Sequence, residues 1–250
     1  KNVREKEEAA ILAKNEQLRA NLLRTISHDL RTPLTSISGN ANNLLYNESC
    51  LDAQMRRQIY GDIYDDSMWL IDLVENLLSV TRIEEGRMQI RQSAELVDEV
   101  IKEALKHTGQ SRTGRTIKVE EEDELILAKM DARLIVQVLI NLIGNAVKYT
   151  PQGTDITVRV KKEKAENAER SQVIISVCDL GNGIPDDRKE RVFDMFYTGS
   201  DQVADSRRSL GLGLGLCRSI INAHGGKIWI SDNIPHGAVV TFTLPAEEVA

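Results

Sequence analysis

Apolar residues recur every three or four positions along two long stretches in the first third of the chain. The first stretch contains Leu18, Leu22, Ile26, Leu30, Leu34, Ile37, Ala41 and Leu44, and the second contains Met55, Ile59, Ile63, Leu70, Leu73, Leu77 and Val80. Because residues at this spacing share one face of a helix, the pattern predicts two helices that end near Asn47 and Glu84. Asp52 is a suitable N-cap for the second helix. A two-helix hairpin buries too little surface to be stable alone, so we expect a homodimer that forms a four-helix bundle.

After Gly86 the pattern changes to strand-like alternation interspersed with helices. Strands are predicted at 116–121, 125–129, 156–161, 173–177, 227–231 and 238–244, and helices at 94–106, 131–149 and 214–223, with a surface loop at 162–171. Asp131 is the predicted cap of the helix at 131–149. This mixture favours a two-layer α/β sandwich, so the predicted fold class is α+β. We predict a helical lead-in at 1–20, a helical domain at 21–85, a linker at 86–92 and a second domain at 93–250.

Composition and charge exclude several classes of protein. The net charge is −6, whereas a nucleic-acid binder needs a basic face that displaces counterions from phosphate, so no nucleic-acid partner is expected. The three cysteines are scattered and form no C-x-x-C pair, which argues against a disulfide framework or a zinc site. No run of 18 apolar residues is present, so no membrane span is predicted. Because the sequence begins at Lys1, we expect any membrane anchor to lie upstream.

One histidine has a setting that could make it reactive. His28 lies opposite the first apolar stripe, so its imidazole is predicted to face solvent. Thr32 lies one turn along the same face, and Asp29 points to the flank of that face. Pro33 lacks an N–H and should bend the helix beside the histidine. Taken alone, these features fit an ordinary surface histidine better than a reactive one.

A polar stripe marks the helix predicted at 131–149. Asn141, Asn145 and Lys148 are spaced so that they line one edge of this helix. Two amides and an ammonium in line can hold a hydrated Mg²⁺ and contact the phosphates that it carries. By itself, such a stripe is also typical of a solvated helix face.

Two glycine-containing motifs suggest a flat ligand with phosphates. Asp179 follows a predicted strand and precedes Gly181 and Gly183, so its carboxylate can accept from an exocyclic amine while the backbone approaches a ring. The second motif contains Gly211, Gly213 and Gly215. It opens the helix at 214–223, where unpaired backbone N–H groups can bind an anion. Its spacing fits neither the Rossmann motif nor the P-loop.

These motifs together resemble those of a known family. Ser27-His28-Asp29-Leu30-Arg31-Thr32-Pro33-Leu34 resembles the H box of sensor histidine kinases, and residues 22–45 are similar to the KdpD branch of that family. The segments at 141–145, 179–183, 193–196 and 211–215 resemble, in order, the N, G1, F and G2 boxes of the histidine-kinase ATP-binding domain. The resemblance covers the chain from about Leu18 onward.

The resemblance implies an ATP-dependent histidine autokinase whose second domain has the GHKL (Bergerat) fold. It implies a homodimer, ATP and Mg²⁺ as ligands, and transfer of the phosphoryl group from His28 to an aspartate of a response regulator. It also implies a location in the cytoplasmic portion of an inner-membrane sensor. In this family the position of Thr32 often orients a water that removes phosphate from the response regulator.

The resemblance further assigns a role to each candidate residue. His28 is the nucleophile, Asp29 the general base or orienting group, and Asn145 the Mg²⁺ ligand with help from Asn141. Lys148 contacts phosphate, Tyr149 lies near the nucleoside, Asp179 reads the adenine amine, and Gly181, Gly183, Gly211, Gly213 and Gly215 shape the nucleotide site. Residues 198–209 are the expected lid over ATP.

Three positions depart from the family pattern: Gly144, Thr198 and Leu212. Thr198 stands where Arg or Lys is common, and either Arg207 or Arg208 could replace that cation. A module that binds ATP but acts as a phosphatase or scaffold is therefore the alternative function. An ATPase of the chaperone or topoisomerase type is disfavoured, since Asn141 stands where the hydrolytic glutamate would be. The stimulus, the particular response regulator and the choice between transfer within and between chains stay open.

Overall fold

The computed structural model describes residues 26–27, 30–47, 50–84, 90–107, 116–122, 125–164, 171–195, 197 and 211–247. These residues form two compact units, one up to Leu78 and one from Ser79 onward. The predicted linker at 86–92 is described only from residue 90, where the chain has no regular structure.

The first unit contains two helices joined by a short turn. Helix α1 covers residues 30–46, with residues 26–27 also helical, and helix α2 covers Ala53–Glu84. Both predicted helix ends are therefore confirmed. Asp52 begins α2 as predicted, because its Oδ1 accepts a 2.7 Å hydrogen bond from the N–H of Met55.

The apolar stripes of this unit are only partly buried within one chain. Ile26 and Leu73 are each 6% exposed, but Leu34 is 53% exposed although it was predicted to be buried. A second set of apolar side chains on α2 is also exposed, and it consists of Tyr60, Tyr64, Met68, Ile71, Val74 and Leu78. Since they recur every three or four residues, they form one apolar face that this chain leaves uncovered. We call this set the exposed face of α2.

The second unit is built on one seven-stranded sheet. Its strands are β1 (Ser93–Leu96), β2 (Ile117–Glu121), β3 (Leu127–Met130), β4 (Ile156–Lys164), β5 (Ser171–Cys178), β6 (Ile228–Asp232) and β7 (Ala238–Glu247). The order is β1-β3-β7-β5-β4-β2, and β6 also pairs with β7. All described pairings are antiparallel except that between β2 and β4.

Helices cover the sheet and complete the core. They are α3 (Val97–His107), α4 (Ala132–Tyr149), the single turn α5 (Asp186–Lys189) and α6 (Gly213–Ala223), with a 3-10 turn at Arg191–Phe193. Helix α4 lies between α3 and α6. Alternate residues of β4 and β5 are buried beneath the helices, as are the middle of β7 and one apolar face of α4. The two-layer sandwich and the α+β class are therefore confirmed.

Several predicted boundaries are wrong, among them the end of β7, which was predicted at residue 244 and lies at Glu247. Residues 94–96 were predicted as helix, but they form β1 and pair with β3, and α3 begins only at Val97. The apolar spacing of α3 extends back into β1, so periodicity alone does not show where the strand ends and the helix begins. The loop predicted at 162–171 is shorter than expected, because β4 and β5 continue pairing as far as Lys164 and Ser171.

A buried polar network fixes the ends of α4 and α6. Asp131 stands at the N-cap of α4, but its side chain accepts from the Arg91 N–H at 3.2 Å instead of capping the helix. Its own N–H donates to Nε2 of the buried His224 at 3.0 Å. Because Nε2 accepts this bond, Nδ1 carries the proton and donates to Ile220 O at 2.8 Å. His224 is therefore a structural residue.

Candidate functional site: a nucleotide cradle

The polar stripe on α4 is free to contact a ligand. The side chains of Asn141, Asn145 and Lys148 are half-buried and make no hydrogen bond or ion pair with other described residues. The ammonium of Lys148 lies 5.1 Å from the centre of the Tyr149 ring. The opposite face of α4 is buried, with Ile135, Val138, Leu139, Leu142 and Ala146 at most 4% exposed. The helix is thus clamped in the core with its polar edge facing outward.

The carboxylate of Asp179 has one oxygen fixed and one available. Asp179 follows directly after β5, and its Oδ1 accepts from Gly181 N–H at 2.8 Å and from Ala238 N–H at 3.2 Å. Its Oδ2 has no hydrogen-bond partner among the described residues. A fixed carboxylate with one available oxygen is well suited to accept from an amine of a ligand.

Close contacts join the three motifs that are predicted to bind a nucleotide, one of which lies on α4. A Cβ atom at Gly181 would lie 2.6 Å from the carbonyl oxygen of Tyr149, so glycine is required there for the loop to approach the end of α4. A Cβ atom at Gly213 would lie 3.1 Å from Oδ1 of Asn141, which places this amide against the first turn of α6. The loop at 179–183 and the start of α6 therefore both flank the polar edge of α4. We call this arrangement the nucleotide cradle.

The start of α6 offers backbone N–H groups to an anion. No side chain caps this helix end, where Leu212 is the N-cap residue and Gly213 the first helical residue. Uncapped N–H groups at a helix N-terminus attract phosphate through hydrogen bonds and the helix dipole. His224 anchors the C-terminal end of α6 through its hydrogen bonds with Asp131 and Ile220, so the N-terminal end is also held in position.

The segment that resembles the F box packs beneath α6. Phe193 is buried with Ile230 and Ala238. The guanidinium of Arg218 lies 6.0 Å from the centre of the Phe193 ring and donates to Asp194 Oδ1 at 3.1 Å. The predicted departure at Thr198, the predicted lid at 198–209 and both lid arginines lie outside the described residues.

Cys178 adds no charge beside Asp179. Burial raises the pKa of the Cys178 thiol, and the Arg159 guanidinium lowers it by less, while the carboxylates of Glu120 and Asp179 raise it further. The thiol therefore stays protonated at neutral pH. Burial also raises the pKa of Cys217, which lies between α4 and α6. All three cysteines are free thiols.

The H box is described only in part. His28 and Asp29 lie outside the described residues, as does the bend predicted at the Asp29 carbonyl. Ser27 and Thr32 are exposed, whereas Pro33 is buried. Thr32 is thus exposed as predicted, whereas the predicted exposure of His28 stays a prediction.

Two further features are absent from the described residues. No group of three His, Cys, Asp or Glu side chains is arranged to hold a metal ion there. In the same part of the chain, no helix combines the length and apolar character needed to cross a bilayer.

Sequence reasoning missed the residues that hold Asp179. The N–H of Ala238 donates to Asp179 Oδ1, the carbonyl of Ala238 accepts from the Asp179 N–H, and Asn233 donates to the main-chain carbonyl of Asp179 at 2.7 Å. The N-I-P-H-G sequence at 233–237 does indicate a turn, but nothing in it identifies Asp179 as its partner.

Each of the two units contains a match to a known protein family. Residues 130–248 match the family described as histidine kinase-, DNA gyrase B-, and HSP90-like ATPase, and residues 18–86 match the His Kinase A (phospho-acceptor) domain. The first match contains the nucleotide cradle, and the second contains His28.

Individual relatives agree with these matches. The sensor protein KdpD of Clostridium acetobutylicum is 41% identical over 98% of this chain, and the chain spans 26% of that protein. The catalytic domain of the histidine kinase ThkA is 30% identical with a TM-score of 0.50, covering 62% of this chain and 97% of that domain. The histidine kinase ThkA in complex with the response regulator protein TrrA is 26% identical with a TM-score of 0.61, covering 91% of this chain and 61% of that one.

The chain belongs to the sensor histidine kinases. Its second unit is the ATP-binding unit of that family, and its similarity to KdpD extends over nearly the whole chain. The phospho-acceptor domain matched at 18–86 precedes the ATPase domain matched at 130–248.

Proposed function

We propose that this chain transfers the γ-phosphoryl group of ATP to His28 and then to an aspartate of a response regulator. The observation that carries the proposal is the nucleotide cradle, in which Asn141, Asn145, Lys148 and one oxygen of Asp179 have no hydrogen-bond or ion-pair partner among the described residues. Polar groups gathered without partners at one edge of a core are typical of a binding site. The phospho-acceptor domain matched at 18–86 supplies the acceptor histidine.

Within the cradle, each side chain has a distinct task. Asp179 Oδ2 accepts from the exocyclic amine of adenine, and Tyr149 lies beside the nucleoside. Lys148 and the first N–H groups of α6 contact the phosphates.

The residues present also fit Mg²⁺. Asn145 and Asn141 offer amide oxygens, and Mg²⁺ is commonly held by few protein oxygens together with phosphates and waters. When bound, Mg²⁺ neutralises charge on the phosphates. Asn145 is the proposed protein ligand, and Asn141, held against Gly213, is the proposed supporting one.

The chemistry at His28 follows from its protonation state. An imidazole is largely neutral at pH 7 and so has a ring nitrogen with a free electron pair. That nitrogen forms a bond to the γ-phosphorus as the bond to the leaving oxygen of ADP breaks. Asp29 accepts a hydrogen bond from the other ring nitrogen and stabilises the positive charge that develops. Thr32 is proposed to orient a water for the opposite reaction, the removal of phosphate from the response regulator.

We further propose that two chains pair through the exposed face of α2 and form a four-helix bundle. This face leaves six large apolar side chains accessible in the single chain, and a second copy would cover them. The response regulator is the proposed phosphoryl acceptor, and the longer protein is proposed to be an inner-membrane sensor with this chain on the cytoplasmic side.

The variant Ile71→Asp is expected to shift the protein from dimer to monomer, with a dimer dissociation constant raised at least ~100-fold, because an unpaired carboxylate would be buried at the interface. Light scattering coupled to size-exclusion chromatography measures this change. The matched control is Ile234→Asp, the same substitution at a residue that is 90% exposed in the second unit, and it should remain dimeric. A dimeric Ile71→Asp protein would contradict the proposed interface.

The proposed activity is tested by incubating the protein with Mg²⁺ and ATP labelled on the γ-phosphate, with ATP labelled on the α-phosphate as the control. We expect acid-labile, base-stable label from the first nucleotide alone, which is the signature of phosphohistidine. ATP binding without such label would contradict autophosphorylation. It would support the phosphatase or scaffold alternative, which the threonine at 198 favours, and Thr198→Arg would then be the first variant to make.

A further inference from the structure

The hairpin between β6 and β7 holds Asp179 in place. The N–H of Asp179 donates to Ala238 O at 2.9 Å, and Ala238 N–H donates to Asp179 Oδ1 at 3.2 Å. The main-chain carbonyl of Asp179 accepts a 2.7 Å hydrogen bond from Nδ2 of Asn233. Every hydrogen-bonding group of Asp179 except Oδ2 is therefore engaged, and the bond from Asn233 is a side-chain contact that a substitution can remove.

The amide of Asn233 is itself fixed in orientation. Its Oδ1 accepts from Ile234 N–H at 3.1 Å, and its main-chain N–H donates to Gly237 O at 3.0 Å. The side chain is half-buried, and the oxygen contact leaves Nδ2 directed at Asp179. Asn233 thus closes the hairpin and contacts Asp179 with the same side chain.

The hairpin and the Asp179 loop touch directly. Gly237 has a φ of 113°, and a Cβ atom there would lie 2.0 Å from the carbonyl oxygen of Asp179. Only glycine permits this approach, because any side chain would collide with the carbonyl that Asn233 holds.

We propose that Asn233 is a positioning residue for recognition of the nucleotide base, and this inference rests on the proposed function. By holding the peptide group of Asp179, Asn233 sets the direction of Oδ2 toward the exocyclic amine of a purine. It makes no hydrogen bond to the groups proposed to bind phosphate, so its effect is confined to the base.

The test compares ATP with purine riboside triphosphate, which has the same sugar and phosphates but lacks the exocyclic amine. In Asn233→Ala we expect ATP to bind about 5- to 10-fold more weakly, because the hydrogen bond that orients Asp179 is lost. The analogue should bind within about twofold of its affinity for the wild type. The KM for ATP in the labelling reaction should rise by the same factor while kcat is unchanged. Ile234→Ala, an exposed neighbour, is the control and should change neither affinity.

Equal ATP affinity in Asn233→Ala and wild type would overturn the inference. Equal weakening of ATP and the analogue would also overturn it, since that result indicates a general loss of structure. If Asn233→Ala does not fold, Asn233→Ser, which keeps a residue common in turns, gives the same comparison. Failure of the wild type to bind ATP would instead reject the proposed function itself.

Discussion

The variant Asp179→Asn is expected to bind ATP about 10- to 150-fold more weakly than the wild type while retaining its fold. Asparagine keeps an Oδ1 that can accept from the N–H groups of Gly181 and Ala238, so the loop is preserved. In place of Oδ2, however, it presents an N–H donor to the amine of adenine, which is also a donor. A hydrogen bond to a charged group contributes about 1.5–3 kcal/mol, which corresponds to this range of affinities. Isothermal titration calorimetry measures the change.

The matched control for this variant is Asp187→Asn. Asp187 is exposed on α5 and has no role in the cradle, so the substitution makes the same change of charge in the same unit. It should bind ATP like the wild type. Thermal unfolding followed by circular dichroism should show similar midpoints for both variants. Wild-type affinity in Asp179→Asn would show that the carboxylate does not read the base.

The variant His28→Gln is expected to lose all acid-labile, base-stable label while binding ATP with unchanged affinity. Glutamine is polar and similar in length, but its amide has no ring nitrogen with a free electron pair to attack phosphorus. The nucleotide cradle belongs to the other compact unit and contains no part of the H box. The measurement is the same γ-phosphate labelling, combined with calorimetry for ATP.

His107→Gln is the control for the histidine substitution. His107 is exposed at the end of α3, where its imidazole lies 3.4 Å from a carboxylate oxygen of Glu103. The same chemical change at this surface position should leave the label at the wild-type level. If His28→Gln retains label, a residue other than His28 is the acceptor, and peptide mapping of the labelled protein would identify it.

Local periodicity predicted the elements that carry the cradle. The buried face and the polar edge of α4 are both confirmed, because helical spacing places residues on a face wherever the helix lies in the fold. The family motifs likewise located Asp179 at the end of β5 and the glycines at the start of α6. The roles of these residues in binding ATP and Mg²⁺ stay predictions.

Contacts between distant residues could not be predicted in this way. The bond from Asp131 to His224 joins residues 93 positions apart, and the bond from Asn233 to Asp179 joins residues 54 positions apart. Strand β1 was missed for the same reason, since only its pairing with β3 distinguishes it from an extension of α3. Such features depend on tertiary packing, which overrides local preference.

The position of β7 in the sheet constrains how the protein is made. β7 is the last of the seven strands along the chain, yet it lies inside the sheet and pairs with β3, β5 and β6. A nascent chain that has emerged from the ribosome only as far as β6 therefore lacks the strand that joins the two parts of the sheet. It also lacks Ala238, which fixes Asp179. The unit cannot acquire a complete nucleotide site during synthesis until β7 has emerged, so translation products that stop before residue 238 should be unable to bind ATP.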